Sequence, residues 1–382
     1  MRIVQITTDN REYFKDYDAP APYFGTAPEA LIDGLQHLPK VELHIISCLQ
    51  RALKTPEKLA DNVYYHSLVV PKAGWMRSLY YGCSNAVRRV VREIGPDIVH
   101  GQGTERDCAI SAIRSGHRSV VTIHGNMAEL SHAGHLGGLF GWLTARLETH
   151  TLKRACGVFC NSSYTQALVT PRARKIWHVP NATRRAFLER PLTPRKAAGR
   201  SPQLLNVGLI TPYKRQLELL RAVRGLVREG KSCRIVFAGL MPTHTEYGRA
   251  FAAELREASE TGWAEHVGYL SRDELIELMD QSDAALHAPT HEAFGLVAAE
   301  AMARGLKFFG ANVGGLKDIA LDADGAELYD DIPSLTRGVA RWIDSGCPMP
   351  EHCARQMAER YHPDHIARRH LEIYREVLNQ VS

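Results

Sequence analysis

Short apolar runs rich in valine and isoleucine alternate with segments of helical period along almost the whole chain. In the first half they are "RIVQIT" (2–7), "VELHIIS" (41–47), "VYYHSLVV" (63–70), "PDIVHGQG" (96–103), "RSVVTIHG" (118–125) and "CGVFCNSS" (156–163). Strands this short and this apolar are buried on both faces, which demands helices above and below a parallel sheet. A helix is expected over residues 27–38, and another over the basic "NAVRRVVREIG" (85–95). "LTPRKAAGRSPQ" (192–203) then breaks the rhythm with two prolines and a glycine, as a linker does. The alternation resumes with "LLNVGLI" (204–210), "CRIVFAGL" (233–240), "EHVGYL" (265–270), "DAALHAPT" (283–290) and "LKFFGA" (306–311). The predicted fold class is α/β: two tandem Rossmann-like doubly wound domains over residues 1–198 and 199–361, facing a central cleft at the carboxyl ends of their strands. Residues 362–382 carry a last helix that finishes the second domain or crosses back to the first.

A chain of 382 residues is long enough for two such cores. No apolar stretch is long enough for a membrane span, and "MRIVQITTDN" reads as a first strand rather than a secretory leader. The eight cysteines are scattered without zinc-ligand spacing, which suits reduced thiols in the cytoplasm. Charge is uneven. Residues 1–198 hold 26 Lys+Arg against 16 Asp+Glu, or +10; the rest hold 21 against 26, or −5; the sum is the net +5. A basic half and an acidic half expect different partners, and the basic one suits an anionic acceptor or peripheral contact with the inner membrane face. Nothing points to nucleic acid.

The densest chemistry lies in "HEAFGLVAAEAMARG" (291–305), where Glu292 and Glu300 stand eight positions apart. Eight residues turn through about 800° on a helix, which leaves the second carboxylate about 80° off the first. That spacing suits a glutamate in the loop before a helix and a second one two turns inside it. The helix mouth, entered near Phe294 after a strand ending at Pro289, offers free amides to an anion. Small residues at Gly295, Ala298 and Ala299 allow a ligand close approach. Glu292 can accept hydrogen bonds from hydroxyls, and Glu300 can hold a diol such as a ribose.

With the following "ANVGGLKDIA", this stretch resembles the signature of the family 4 (group 1) glycosyltransferases, retaining enzymes of the GT-B fold. "HVGYLSRDELIELMDQSDAALHAPT", "VTIHG" and "VPNATRRAF" extend the resemblance over nearly the whole chain. It implies transfer of a sugar from a nucleotide diphosphate, UDP being the commonest base in the family, to an acceptor hydroxyl that the motifs do not specify. It also implies no metal or other cofactor. The departing phosphate would take the acceptor's proton while protein charges stabilise the leaving diphosphate. Residue by residue, Glu292 would contact the donor sugar, with the amides of Phe294, Gly295 and Leu296 on its hydroxyls and diphosphate. Glu300 would hold the ribose, the backbone near Leu270 and Ser271 the base, and Lys214 the diphosphate. Gly25 would lie near the transferring phosphate, and His124 would contact the sugar; Glu292, Lys214 and His124 are the candidate catalytic residues. Read without the resemblance, Gly25 is a turn before a helix that Thr26 caps.

The departures fall on the phosphates. The family's arginine is Leu209 here, and the glycine after its lysine is Arg215, which is placed to substitute for it on the first turn of a helix. Loss of that arginine leaves open a nucleotide-sugar epimerase, a phosphorylase-like relative, or a pseudo-transferase that only binds. Other signatures fail. "GQGTER" (101–106) puts Arg106 where a dinucleotide fingerprint needs its third glycine, and "DAD" (322–324) reads as a solvated turn rather than a metal clamp. Acceptor contacts are expected in loops over residues 8–24 and 127–150.

Overall fold

The computed structural model describes residues 1–132, 138–192 and 201–379. The chain divides into two compact units, Met1–Arg184 with His362–Ser382, and Arg185–Tyr361. In the first unit, β1 (Arg2–Ile6), β2 (Glu42–Leu49), β3 (Lys58–Ala60), β4 (Val63–Val69), β5 (Ile98–Gln102), β6 (Ser119–Ile123), β7 (Gly157–Cys160) and β8 (Ile176–His178) form one sheet. Its order is β3-β4-β2-β1-β5-β6-β7-β8, parallel except for the edge strand β3. In the second unit, β9 (Gln203–Val207), β10 (Arg234–Ala238), β11 (Ala264–Gly268), β12 (Ala284–His287), β13 (Lys307–Ala311) and β14 (Ala326–Tyr329) lie in the order β11-β10-β9-β12-β13-β14, all parallel. This is the doubly wound order, with its reversal between β9 and β12, where Leu204 pairs Ala284 and Leu205 pairs Ala285.

Alternation along these strands feeds two cores. Leu204, Ile235, Phe237, Ala284, Leu286 and Phe309 pack on one face of the second sheet, and Leu205, Val236, Ala285 and Phe308 on the other. In the first unit the helix Pro363–Asn379 buries Ile366, Ala367, Leu371, Ile373, Tyr374 and Val377 against Leu31, Leu35, Ile3 and Phe159. It crosses at Gly34, where a Cβ would lie 2.3 Å from the Pro363 carbonyl oxygen. Tyr374 Oη is 2.6 Å from His100 Nδ1, and burial keeps that imidazole well below its usual pKa. So the last helix belongs with the first unit.

The units part between Arg184 and Arg185, ahead of the position expected from composition, and residues 193–200 of the expected linker lie outside the described residues. The reason lies in packing. Phe187, on the helix Arg185–Glu189, is fully buried in the second unit's core. Arg304, from the end of the motif helix, is also buried and donates to the carbonyls of Phe187, Arg190 and Pro191 while paired with Asp280. The strands β3, β8 and β14 were not evident from the sequence: they are three or four residues long and, unlike the central strands, lie at sheet edges. The supposed loops are partly helical, with helices at Arg11–Phe14, Met127–His132 and Gly138–Arg154. Among the described residues no helix is long and apolar enough to cross a membrane.

Candidate functional site

The strand-order reversal leaves a crevice beyond the carboxyl ends of β9 and β12, and the loops leaving those strands carry the charged residues of the motif. After β9 the chain makes a short 3-10 turn, Pro212–Lys214, and only then the helix Gln216–Arg228. Lys214 and Arg215 therefore precede the helix instead of forming its first turn. Arg215 holds φ +57°, the left-handed region that favours glycine, which explains why the family motif has glycine there. The fully buried Gln216 ties the loop: its amide donates to the Leu209 carbonyl at 3.0 Å and its oxygen accepts from the Thr211 N–H at 3.1 Å. Leu209 itself is 37% exposed.

β12 ends at His287 and the next helix is Leu296–Ala303, so strand and helix boundaries both differ by two residues from the sequence reading. The loop between them is pinned by the glycine pair. A Cβ on Gly314 would lie 1.9 Å from the Glu292 carbonyl oxygen, and one on Gly315 2.5 Å from that of Ala293. The Gly315 N–H donates to the Glu292 carbonyl at 3.0 Å. Gly295 enters the helix at φ +106°, against Leu316. Phe294 is buried edge-on to Tyr361, and the Ala298 and Ala299 N–H groups both donate to the Gly295 carbonyl, so the helix mouth presents the N–H groups of Leu296 and Val297.

This loop brings Glu292 to Lys214 across the reversal, with Nζ 2.6 Å from Oε2. His287 Nε2 lies 3.1 Å from the same oxygen. Burial acts to raise the Glu292 pKa, but the hydrogen bond from His287 and the charge of Lys214 overcome it and hold the group down at about 2. Glu292 is thus a carboxylate at any ordinary pH. His287, 2% exposed, is depressed by burial and by Lys214, so it stays a neutral imidazole. Glu300 lies inside the helix and is 2% exposed. A carboxylate in a loop, another within a helix, and a lysine ammonium beside free amides can together recognise hydroxyls and a diphosphate.

Other candidates are placed elsewhere. Leu270 and Ser271 follow β11, and Ser271 caps the helix Arg272–Gln281. Its N–H already donates to Glu274 Oε2 at 2.8 Å and its carbonyl accepts from the Leu275 N–H at 2.9 Å, so the Ser271 main chain is engaged in its own cap. Gly25 and His124 are in the first unit. Gly25, at φ +86°, occupies the N-cap of the helix Thr26–Gln36 itself; Thr26 is the first helical residue and does not cap it. His124, just past β6, has Nε2 2.9 Å from Gln102 Oε1, and burial lowers it to about 4. Asp324 accepts the N–H groups of Glu351 and His352, a contact that ties its turn to a segment 27 and 28 residues further on.

Sequence reasoning missed three residues. His287 sits in an apolar strand, where the only signal is a histidine at a strand's carboxyl end beside the motif loop. Glu105 follows the failed glycine fingerprint; its Oε1 accepts the Gly125 N–H at 2.6 Å, and burial raises its pKa to about 7. Glu148, fully buried, accepts from Thr104, the N–H of Met127 and Arg172. Its partners, the Ala128 N–H among them, lie 20 to 44 residues away, beyond any local pattern.

A model of the group 1 glycosyl transferases matches residues 193–360, and one of glycosyltransferase family 4 matches residues 29–185. The D-inositol 3-phosphate glycosyltransferase of Rhodococcus opacus (strain B4) is 33% identical over 183 residues, 44% of this chain and 40% of that protein, so the match spans well under half of the curated relative. Among solved structures, a sucrose-phosphate synthase from Thermosynechococcus elongatus superimposes with a TM-score of 0.76 at 15% identity, covering 99% of both chains. A glycosyltransferase from Rickettsia africae does so at 0.73 and 15%, covering 100% of this chain and 99% of its own. The Anabaena protein HepE, crystallised with UDP and glucose, gives 0.70 at 14%, covering 98% and 99%. At such identities these structures show the fold alone. With the two models matched in tandem from residue 29 to residue 360 and the fold shared along the chain, this protein belongs to the family 4, group 1 glycosyltransferases of the GT-B fold.

Proposed function

We propose that the protein transfers a sugar, with retention of anomeric configuration, from a nucleotide diphosphate to an acceptor hydroxyl, without a metal. The observation that carries this reading is the Lys214–Glu292 pair spanning the β9/β12 reversal at a helix mouth. Lys214 and the amides of Leu296 and Val297 would stabilise the leaving diphosphate, Glu292 would hold the sugar's hydroxyls, and Glu300 the ribose. Arg215 would replace the cation missing at Leu209. UDP is the favoured base, because HepE was crystallised with UDP and glucose and UDP is commonest in the family. His124 and Gly25 keep the roles that the family motif gives them, toward the sugar and the transferring phosphate.

A ligand that binds only the folded state stabilises it by about 2.7 kcal/mol at a hundredfold excess over Kd. Millimolar UDP should therefore raise the melting temperature by several degrees, in EDTA as well as in magnesium. A larger shift with GDP, ADP or TDP revises the base alone, whereas a shift that disappears in EDTA contradicts the metal-free mechanism. No shift with any of the four removes the nucleotide-sugar reading. Leu209 favours a second reading, a subunit that binds nucleotide sugar without turnover; binding with no transfer or epimerisation would establish it.

The acceptor side is proposed to meet an anionic membrane surface. Leu139, Phe140 and Trp142 are 72%, 52% and 51% exposed on the helix Gly138–Arg154, with Arg146 over the Trp142 ring and Lys153 and Arg154 in the last turn. Exposed aromatic and aliphatic groups beside cations are what an interfacial helix presents. The protein should sediment with anionic vesicles in low salt and less so in high salt. Failure to sediment at low salt favours a soluble acceptor.

A further inference from the structure

We propose that His287 is a positioning residue for the sugar-binding carboxylate: its Nε2–H, together with Lys214, fixes one oxygen of Glu292 and turns the other toward the donor sugar. The inference rests on the functional reading above and concerns which atom of Glu292 does the work. Both donors converge on Oε2, at 3.1 Å from His287 and 2.6 Å from Lys214. Among the described residues no hydrogen bond falls on Oε1. A carboxylate so held cannot rotate without losing both bonds, so Oε1 is presented in one orientation before any ligand arrives, which lowers the entropic cost of binding a hydroxyl.

The tautomer follows from the acceptor. Glu292 offers only lone pairs, so the imidazole proton is at Nε2. His287 Nδ1 is buried and has no partner. A cationic ring would bury an unsatisfied N–H there, whereas the neutral ring leaves only an unmatched lone pair. Even that is a cost that valine or leucine at the end of a buried strand would avoid. The residue is therefore better explained by what it does to Glu292 than by what it does for the core. His287 and Ala285 point to the same sheet face, whose core includes the motif-helix residues Ala298, Ala299 and Met302, so a histidine at this position acts from beneath the loop it steadies.

The test compares His287→Leu and His287→Gln with the wild type for UDP affinity, transfer kinetics and melting temperature. The expected result for His287→Leu is an unchanged or raised melting temperature, UDP affinity within twofold, and transfer reduced tenfold or more. Glutamine places an amide N–H at nearly the reach of Nε2 and should restore most of the transfer. In wild-type protein labelled with [15N]histidine, the His287 ring should show the neutral Nε2–H tautomer, a readout that needs neither activity nor a foldable variant. Normal transfer by His287→Leu, parallel loss of UDP affinity, or an Nδ1–H or cationic ring would each overturn the proposal. A wild type that binds UDP and transfers nothing would instead overturn the functional reading and the kinetic half of this one together.

Discussion

Glu292→Ala should cost roughly a hundredfold in sugar transfer while bare UDP binds as tightly as before, or more tightly. The reason is the commitment of Lys214. In the free protein its ammonium is paired with Glu292, so part of its charge is already neutralised. Removing the carboxylate releases that charge to the diphosphate, while the hydroxyl-binding oxygen is lost from the sugar side. Glu300→Ala should do the opposite. A buried carboxylate holding two ribose hydroxyls contributes charge-assisted hydrogen bonds of about 1.5–3 kcal/mol each, and its loss should appear as weaker binding of the bare nucleotide by at least tenfold. Calorimetric titration with UDP beside a transfer assay separates the two. Parallel loss of UDP affinity in both variants would mean that the two glutamates share one task.

Glu105→Gln should remove most of a pH dependence in the stability of the first unit. Burial, assisted by the negative charge of Glu148, raises Glu105 to about 7, against an ordinary value near 4.5. Between those values the folded state holds a proton that the unfolded chain has released, so stability falls as pH rises through the window and levels off above it. A shift of that size corresponds to about 3 kcal/mol. Glutamine keeps the acceptor for the Gly125 N–H and cannot ionise. Relative to the wild type it should therefore gain about 3 kcal/mol between pH 4.5 and pH 8 in urea unfolding. A constant difference across that range would show that Glu105 titrates as an exposed carboxylate does.

The parts of this protein legible in its sequence are those set by local period and by motif. Central strands such as β1, β5, β9 and β12 are short, mostly apolar and buried on both faces, and a doubly wound sheet was the arrangement able to bury them. Glu292 and Glu300 could be assigned to a loop and a helix by their angular spacing taken together with the strand-to-helix turn in which they stand. What stayed hidden depends on contacts between distant positions. The parting of the units at Arg185 is enforced by Arg304, more than a hundred residues further on. The pairing of Lys214 with Glu292 spans 78 residues, and no periodicity reveals that one cation is already engaged. His287 was overlooked because a histidine within "AALHAP" carries no pattern until the loop folds over it.

The return of the helix Pro363–Asn379 to the first unit has a consequence for how the protein is made. On the ribosome, residues 1–184 emerge first, yet the core of their sheet lacks Ile366, Leu371, Ile373, Tyr374 and Val377 until everything from 185 to 361 has been synthesised. Those side chains contribute about 1.5–3 kcal/mol apiece, together on the order of 10 kcal/mol, as much as the whole net stability of a typical domain. The second unit is uninterrupted in sequence and can fold as it leaves the exit tunnel. The half translated before the other therefore cannot be completed until the last helix has been made, and a chain cut after residue 361 would keep every residue of the second unit while leaving the first without the helix that closes its core.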